Sequence, residues 1–181
     1  GVELRMATAT SEAGSEGGDE DLGGAAEVQV RGPSVTRGYW NDPDASAAAF
    51  TPDGWFRTGD LGVLDADGYL TLSGRARELI ITGGFNVYPR EVEEAIASLP
   101  GVREVAVVGL PDPDLGERVA AAIVLAREGP GVDEAGVTDH CRQRLAAFKA
   151  PRTVAFVSEL PRNAMGKVLR HELRDRLLAP A

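Results

Sequence analysis

GRARELIITGGFNVYPREVEEAI, residues 74–96, decides how the fold is read. Residues 79–82 form a short apolar run of strand type. Gly83 and Gly84 break the backbone pattern with no side chain to block close approach. Pro89 stands where a helix can begin, because its missing N–H costs nothing there. Val92, Ala95 and Ile96 then mark one helical face, Leu99 extends it, and Pro100-Gly101 stops it.

Working downstream, residues 102–110 (VREVAVVGL) and 118–125 (RVAAAIVL) read as buried strands joined by a turn over 111–117. Residues 133–148 form an amphipathic helix with Val137, Cys141, Leu145 and Phe148 on one face, which makes Cys141 a core residue. Residues 152–157 give a third strand. Residues 168–178 give a last helix, with Val168, Leu169, Leu173 and Leu177 on or near one face. From about residue 76 onward the order of helix, two strands, helix, strand and helix predicts a compact two-layer α+β domain.

Upstream the text differs. Residues 8–24 are rich in Gly, Ser, Ala and acid, and predict a mobile acidic loop. Residues 26–31 (AEVQVR) alternate like a half-buried strand. Residues 61–64 and 69–72 flank Asp65-Ala66-Asp67-Gly68, a hairpin with the acid-glycine turn that its geometry favours. Residues 1–75 thus offer strands and polar loops without an obvious core of their own. The boundary with 76–181 falls near 75–78, where a hinge is expected.

Composition excludes several classes of function. Of 181 residues, 43% are hydrophobic and 26% charged, the balance of a soluble globular protein. No apolar run is long enough for a transmembrane segment. GVELRMATAT lacks the basic start and apolar core of a signal peptide. One cysteine and two histidines exclude a disulfide framework and a typical zinc site. The expectation is a cytoplasmic protein with no metal of its own. The net charge of −9 is uneven, since residues 142–181 hold 9 Lys and Arg against 3 Asp and Glu. That basic end suits either an anionic partner or helix surfaces that simply carry arginine. Nucleic acid is a poor partner, because few aromatics interleave with the charges.

Three islands could carry chemistry. In Gly54–Asp60 (GWFRTGD), Asp60 is either an acceptor for two vicinal hydroxyls such as those of ribose, or a solvated turn acid. In Gly74-Arg75-Ala76-Arg77-Glu78, Arg75 either forks onto phosphate or ribose oxygens or pairs with a nearby acid. In residues 160–167 (LPRNAMGK), Lys167 ends an irregular loop, as either a point charge for phosphate or a solvated lysine before a helix. It is not a Walker loop, which needs spaced glycines and a following Ser or Thr.

In this order and spacing, WFRTGDLGVLDADGYL, GRARELIITGGFNVYPREVE and LPRNAMGKVLR resemble the carboxyl-terminal part of the acyl-adenylate-forming enzymes. That superfamily includes acyl-CoA synthetases and peptide-synthetase adenylation domains. The resemblance runs from about residue 26 to 178. It implies a β-rich piece of a large ATP- and acyl-binding domain over 1–75 and a small mobile domain over 76–181. By the same resemblance, Asp60 holds the ribose hydroxyls of ATP and AMP, and Arg75 lies near ribose and phosphates. Arg77 is the hinge residue, and Lys167 is the catalytic lysine of adenylation. Gly83, Gly84 and Phe85 line the pantetheine tunnel in the thioester-forming state. The implied substrates are a small carboxylic acid, ATP with Mg²⁺, and coenzyme A. ITGGFNVYPREVE is similar to CoA ligases, and RLAAFKAPRTVAFVSELPRNAMGKV to malonyl-CoA synthetases. The expected activity is therefore a malonyl- or methylmalonyl-CoA synthetase, with a medium- or long-chain fatty acyl-CoA synthetase as the alternative. A docking module without catalysis is the reading from outside that class. The family's phosphate loop and acyl pocket have no counterpart here, so the chain is expected to be inactive without the missing amino-terminal large domain.

Overall fold

Short alternating runs build the first of two units, Gly1–Arg77, in a computed structural model that describes residues 1–7, 25–128 and 130–179. Four strands form it: β1 (Glu3–Ala7), β2 (Ala26–Arg31), β3 (Phe56–Leu64) and β4 (Leu70–Arg75). They lie in chain order in one antiparallel sheet. Val28, Trp55 and Leu61 are buried in it, together with the polar Gln29. Gln29 is satisfied: its Oε1 accepts from Arg5 Nε at 2.9 Å, and its Nε2 donates to Glu27 at 3.0 Å. The Trp55 ring is flanked by the guanidinium groups of Arg5 and Arg31, each 4.5 Å from its centre, a doubled cation–π contact. The acid-glycine hairpin forms at the expected place, with Asp65 Oδ1 accepting from the amides of Asp67 and Tyr69. A short helix, α1 (Pro43–Ala49), was not expected. Asp42 caps it through Ala45 N at 2.9 Å, and Pro43 opens it. The acidic loop expected over 8–24 lies outside the described residues.

The second unit, Glu78–Ala181, is a mixed sheet of five strands with helices. Its strands are β5 (Ile80–Thr82), β6 (Phe85–Val87), β7 (Val102–Asp112), β8 (Gly116–Leu125) and β9 (Thr153–Phe156); its helices are α2 (Pro89–Ala97), α3 (Glu134–Arg144) and α4 (Arg170–Leu178). The strand order is β6-β5-β8-β7, with β9 parallel to β8. The long β7–β8 hairpin pairs from Val102 with Leu125 to Asp112 with Gly116.

Its side chains alternate between two cores. Val107, Val119, Ala121 and Ile123 pack with Val92 and Ile96 of α2 and Val137 and Cys141 of α3. Ala106, Val108, Leu110, Ala120, Ala122 and Val124 pack with Leu160 and with Leu173 of α4. Opposite parities point to opposite faces of a sheet. The unit therefore has three layers, α2 and α3, then the sheet, then α4, which corrects the two-layer expectation within the α+β class.

Three boundaries also differ from expectation. The helix over 133–148 ends at Arg144. Leu145 turns extended but still packs on the core, and a 3-10 turn at Ala147–Lys149 leads the chain into β9, where Arg152 N bonds Val119 O at 2.9 Å. Phe148 consequently leaves the core and is partly exposed. The last helix starts at Arg170, because Val168 bridges back to Arg162. The glycine break is a β5–β6 hairpin turn, described below. Among the described residues no helix is long and apolar enough to cross a membrane.

Candidate functional site

Asp60 and Arg75 face each other directly across β3 and β4. Arg75 Nε lies 3.0 Å from Asp60 Oδ1, with the acid 27% and the arginine 46% exposed. Two features place the carboxylate. Thr58 Oγ1 donates to Val28 O at 2.7 Å and accepts from Asp60 N at 3.0 Å, spanning the point where the β2–β3 register shifts. Beyond Asp60 the β3–β4 register shifts again, between Leu61 and Gly62. A Cβ on Gly62 would stand 2.6 Å from Thr71 O, so only glycine lets the strands approach this closely. The pair offers a half-exposed carboxylate that can accept from a vicinal diol, beside a guanidinium whose Nη groups remain to donate to anionic oxygens. Those donors and acceptors fit the ribose and phosphate of a nucleotide.

Lys167 stands on a turn held by side-chain and backbone hydrogen bonds together. Asn163 Oδ1 accepts from Met165 N at 3.0 Å and Lys167 N at 2.9 Å, and Asn163 N donates to Lys167 O at 2.9 Å. Arg162 ties one limb down, donating from Nη1 to Gly166 O at 2.5 Å and from Nη2 to Glu104 at 2.6 Å. That hydrogen bond holds the Glu104 carboxyl below its ordinary range. Leu169 N bonds Pro161 O at 2.8 Å and closes the base. The Lys167 side chain is exposed and has no ion pair among the described residues. The loop is thus held on both limbs, with Lys167 on the returning limb just after its tip.

Gly83 and Gly84 have φ of 58° and 82° and connect Thr82 to its cross-strand partner Phe85. Two consecutive positive φ values are the requirement of a type I′ hairpin turn, which glycine meets without strain. Gly83 N also bonds Leu115 O at 2.9 Å, fixing the hairpin tip to the turn before β8. Phe85 is 54% exposed and stacks on Phe148, with ring centres 4.5 Å apart. Lys149 lies beside them and pairs with Glu91 at 2.7 Å. Arg77 is exposed in a 3-10 turn (Ala76–Glu78) and has no ion pair or hydrogen bond among the described residues.

Within the first unit the structure brings Asp60 and Arg75 together. Within the second it sets Gly83, Gly84 and Phe85 on one hairpin and Lys167 on a separate turn. Thr58, Asn163, Arg162 and Glu104 were missed. Asn163 had a readable signal, an Asn three residues before a glycine in a loop. Glu104 had none, since its partner is far away in sequence. His140 Nε2 lies 2.9 Å from Ser98 Oγ and 3.0 Å from Ala95 O, linking α3 to the end of α2. Burial pushes the Cys141 thiol up, against the weaker pull of Arg144, as suits a core cysteine. Among the described residues no cluster of His, Cys, Asp or Glu could hold a metal ion.

The first unit thus carries a partly exposed cross-strand acid–arginine pair, and the second a lysine on a built turn without an ion pair among the described residues. Comparison with known proteins gives the family. Residues 91–167 match the AMP-binding enzyme C-terminal domain. A methyl-dioxo-octahydroindenyl-propanoyl:CoA ligase of Mycobacterium tuberculosis is 52% identical over 149 residues, 82% of this chain and 29% of that protein. A sulfoacetate–CoA ligase of Cupriavidus necator is 48% identical over 160 residues, 88% of this chain and 31% of that protein. The crystal structure of ATP-bound MatB from Rhodopseudomonas palustris superposes with a TM-score of 0.84 at 44% identity, over 97% of this chain and 34% of that one. The chain belongs to the adenylate-forming superfamily and corresponds to its carboxyl-terminal portion. It spans about a third of the length of these relatives.

Proposed function

We propose that this chain serves as the carboxyl-terminal portion of an AMP-forming carboxylic acid:CoA ligase, with malonate or methylmalonate as the acid. The observation that carries the ligase reading is the pairing, in one chain, of Asp60 opposite Arg75 with an unpaired Lys167 on a built turn. In the first half-reaction a carboxylate attacks the α-phosphorus of ATP and pyrophosphate leaves, giving acyl-AMP. Charge spreads over phosphate oxygens, so the step needs positioning and positive charge rather than covalent help. Asp60 holds the ribose hydroxyls. Arg75 and Lys167 supply charge, and Mg²⁺ travels with ATP. In the second half-reaction the CoA thiol attacks the acyl carbonyl and AMP leaves. Rotation at Arg77 withdraws Lys167 and brings Gly83, Gly84 and Phe85 to the pantetheine. A docking module has no use for an ordered turn that presents a lysine, which favours the enzyme reading.

The choice of acid has its own support. It is supported by the likeness to MatB and by the resemblance of residues 144–168 to malonyl-CoA synthetases. Asn163 builds the turn, and Met165 is 92% exposed. The two ligases above are named for unlike acids, so this segment carries chemistry common to them.

AMP release from ATP, Mg²⁺ and CoA tests both levels, with malonate, methylmalonate or octanoate offered to the complete protein and to this chain alone. Activity of the complete protein with malonate or methylmalonate supports the full proposal. Preference for octanoate keeps the ligase and overturns the acid. Turnover of no acid in a broad panel overturns the ligase in favour of docking, and acyl-AMP made by this chain alone overturns the need for the large domain.

A further inference from the structure

One side chain gathers the elements around the residue next to Arg77. Arg170 Nε lies 3.1 Å from Glu78 Oε2. Its Nη1 donates to Glu93 Oε1 at 2.6 Å and to Val107 O at 2.7 Å, and its Nη2 reaches Glu93 Oε2 at 3.3 Å. Glu93 Oε1 also accepts from Val107 N at 2.8 Å. A single guanidinium thus joins residue 78, α2, β7 and the start of α4. Helix stability does not call for it, because a cation at a helix N-terminus opposes the macrodipole. Arg170 is also three residues beyond Lys167, and the opposite limb of the lysine turn is tied to Glu104 of β7 through Arg162. Arg77 and Glu78 therefore contrast sharply: one is exposed without a partner among the described residues, and its neighbour is bound into the frame that carries the lysine.

We propose that Arg170 is a positioning residue that ties Glu78 to the frame carrying Lys167, so that rotation at Arg77 reaches the lysine turn without slack. This inference rests on the ligase reading above. Its chemistry is specific to arginine, because Glu78, Glu93 and the Val107 carbonyl are met from different edges of one planar fork, which a lysine ammonium cannot reproduce. Without the guanidinium, Glu78 and Glu93 repel and Glu78 leaves the frame.

The test uses Glu78→Gln, which keeps the Glu93–Arg170–Val107 contacts and hence the fold, together with Arg170→Lys and the double variant. In this chain, tryptic cleavage after Arg77 rises about tenfold in each single variant, since cleavage follows the opened population. Melting of Glu78→Gln stays within about 2 °C of the parent. In the complete ligase, both half-reactions of each single variant slow about five- to tenfold with the KM for ATP unchanged, the mark of lost positioning. The double variant is no slower than the slower single, because both changes break one link. Cleavage or half-reaction rates within twofold of the parent in Glu78→Gln, or additive losses in the double variant, overturn the proposal. If the unmodified complete protein shows neither half-reaction, the ligase reading fails, and the tether is then decided by cleavage after Arg77.

Discussion

Gly1–Arg77 holds four strands in one sheet around a small buried set, whereas Glu78–Ala181 covers both faces of its sheet with separate apolar clusters. The first leans on side-chain electrostatics at its surface: Arg5 and Arg31 flank Trp55, Arg5 pairs with Asp53, and Arg31 pairs with Glu3. The second carries ion pairs too, among them Arg170 with Glu93 and Lys149 with Glu91, but adds an extended apolar core on each face of its sheet. This difference suits the proposed roles. A body that moves between two catalytic poses keeps its own shape best when its core is complete within itself.

The largest test of the contrast is chemical. In the complete enzyme, Lys167→Ala is expected to slow adenylation by about a hundredfold or more while sparing thioester formation from supplied acyl-AMP. Asp60→Ala, in the other unit, is expected to slow both half-reactions. Equal loss of both half-reactions in Lys167→Ala would contradict alternation about the hinge. Next in size, Ile123→Ala is expected to cost about 2–5 kcal/mol and to lower only the melting transition of the second unit in calorimetry. A parallel fall of both transitions would mean that the units unfold as one.

Thr58→Val keeps the side-chain shape but removes the hydroxyl between Val28 O and Asp60 N. It is expected to destabilise the first unit by about 1–3 kcal/mol and to raise the KM for ATP, read by urea titration and steady-state kinetics. The smallest effect concerns acid. The Arg5 hydrogen bond holds the Asp53 carboxyl down, from 3.8 to about 2. A depressed carboxyl stabilises the fold above its unfolded value and loses that contribution as pH falls through the folded one. Melting of the first unit should therefore weaken between pH 4 and 2, in part through Asp53, and Arg5→Gln should flatten that slope.

Much of the second unit was legible because its signals are local. Pro89 opens α2, Pro100-Gly101 follows it, and the continuous apolar runs of β7 and β8 announce burial. Those runs do not say how many layers cover the sheet. Only the split by parity between the two clusters does, and that required knowing what lies above and below. The hairpin at Gly83-Gly84 and the Asn-Asp-Pro start of α1 were readable from turn and cap chemistry alone. In the candidate site, Asp60, Arg75 and Lys167 came from resemblance to a family. Thr58, Glu93, Glu104 and Arg170 act through partners distant in sequence, which no local pattern encodes.

The two-sided hairpin also limits how this protein can change length. From Val105 to Leu110 in β7 and from Val119 to Val124 in β8, odd-numbered residues serve one core and even-numbered residues the other, Val107 beside Ala106 and Ile123 beside Ala122; before them, the register shift between Val102 and Glu104 returns Val102 to the first core. Losing or gaining one residue inside either of these stretches would exchange the two sets, sending alanines to a core shaped for valine and isoleucine and the reverse. Length changes here are tolerable only in pairs, or at the turn over residues 113–115, so the hairpin acts as a reading frame written in side chains.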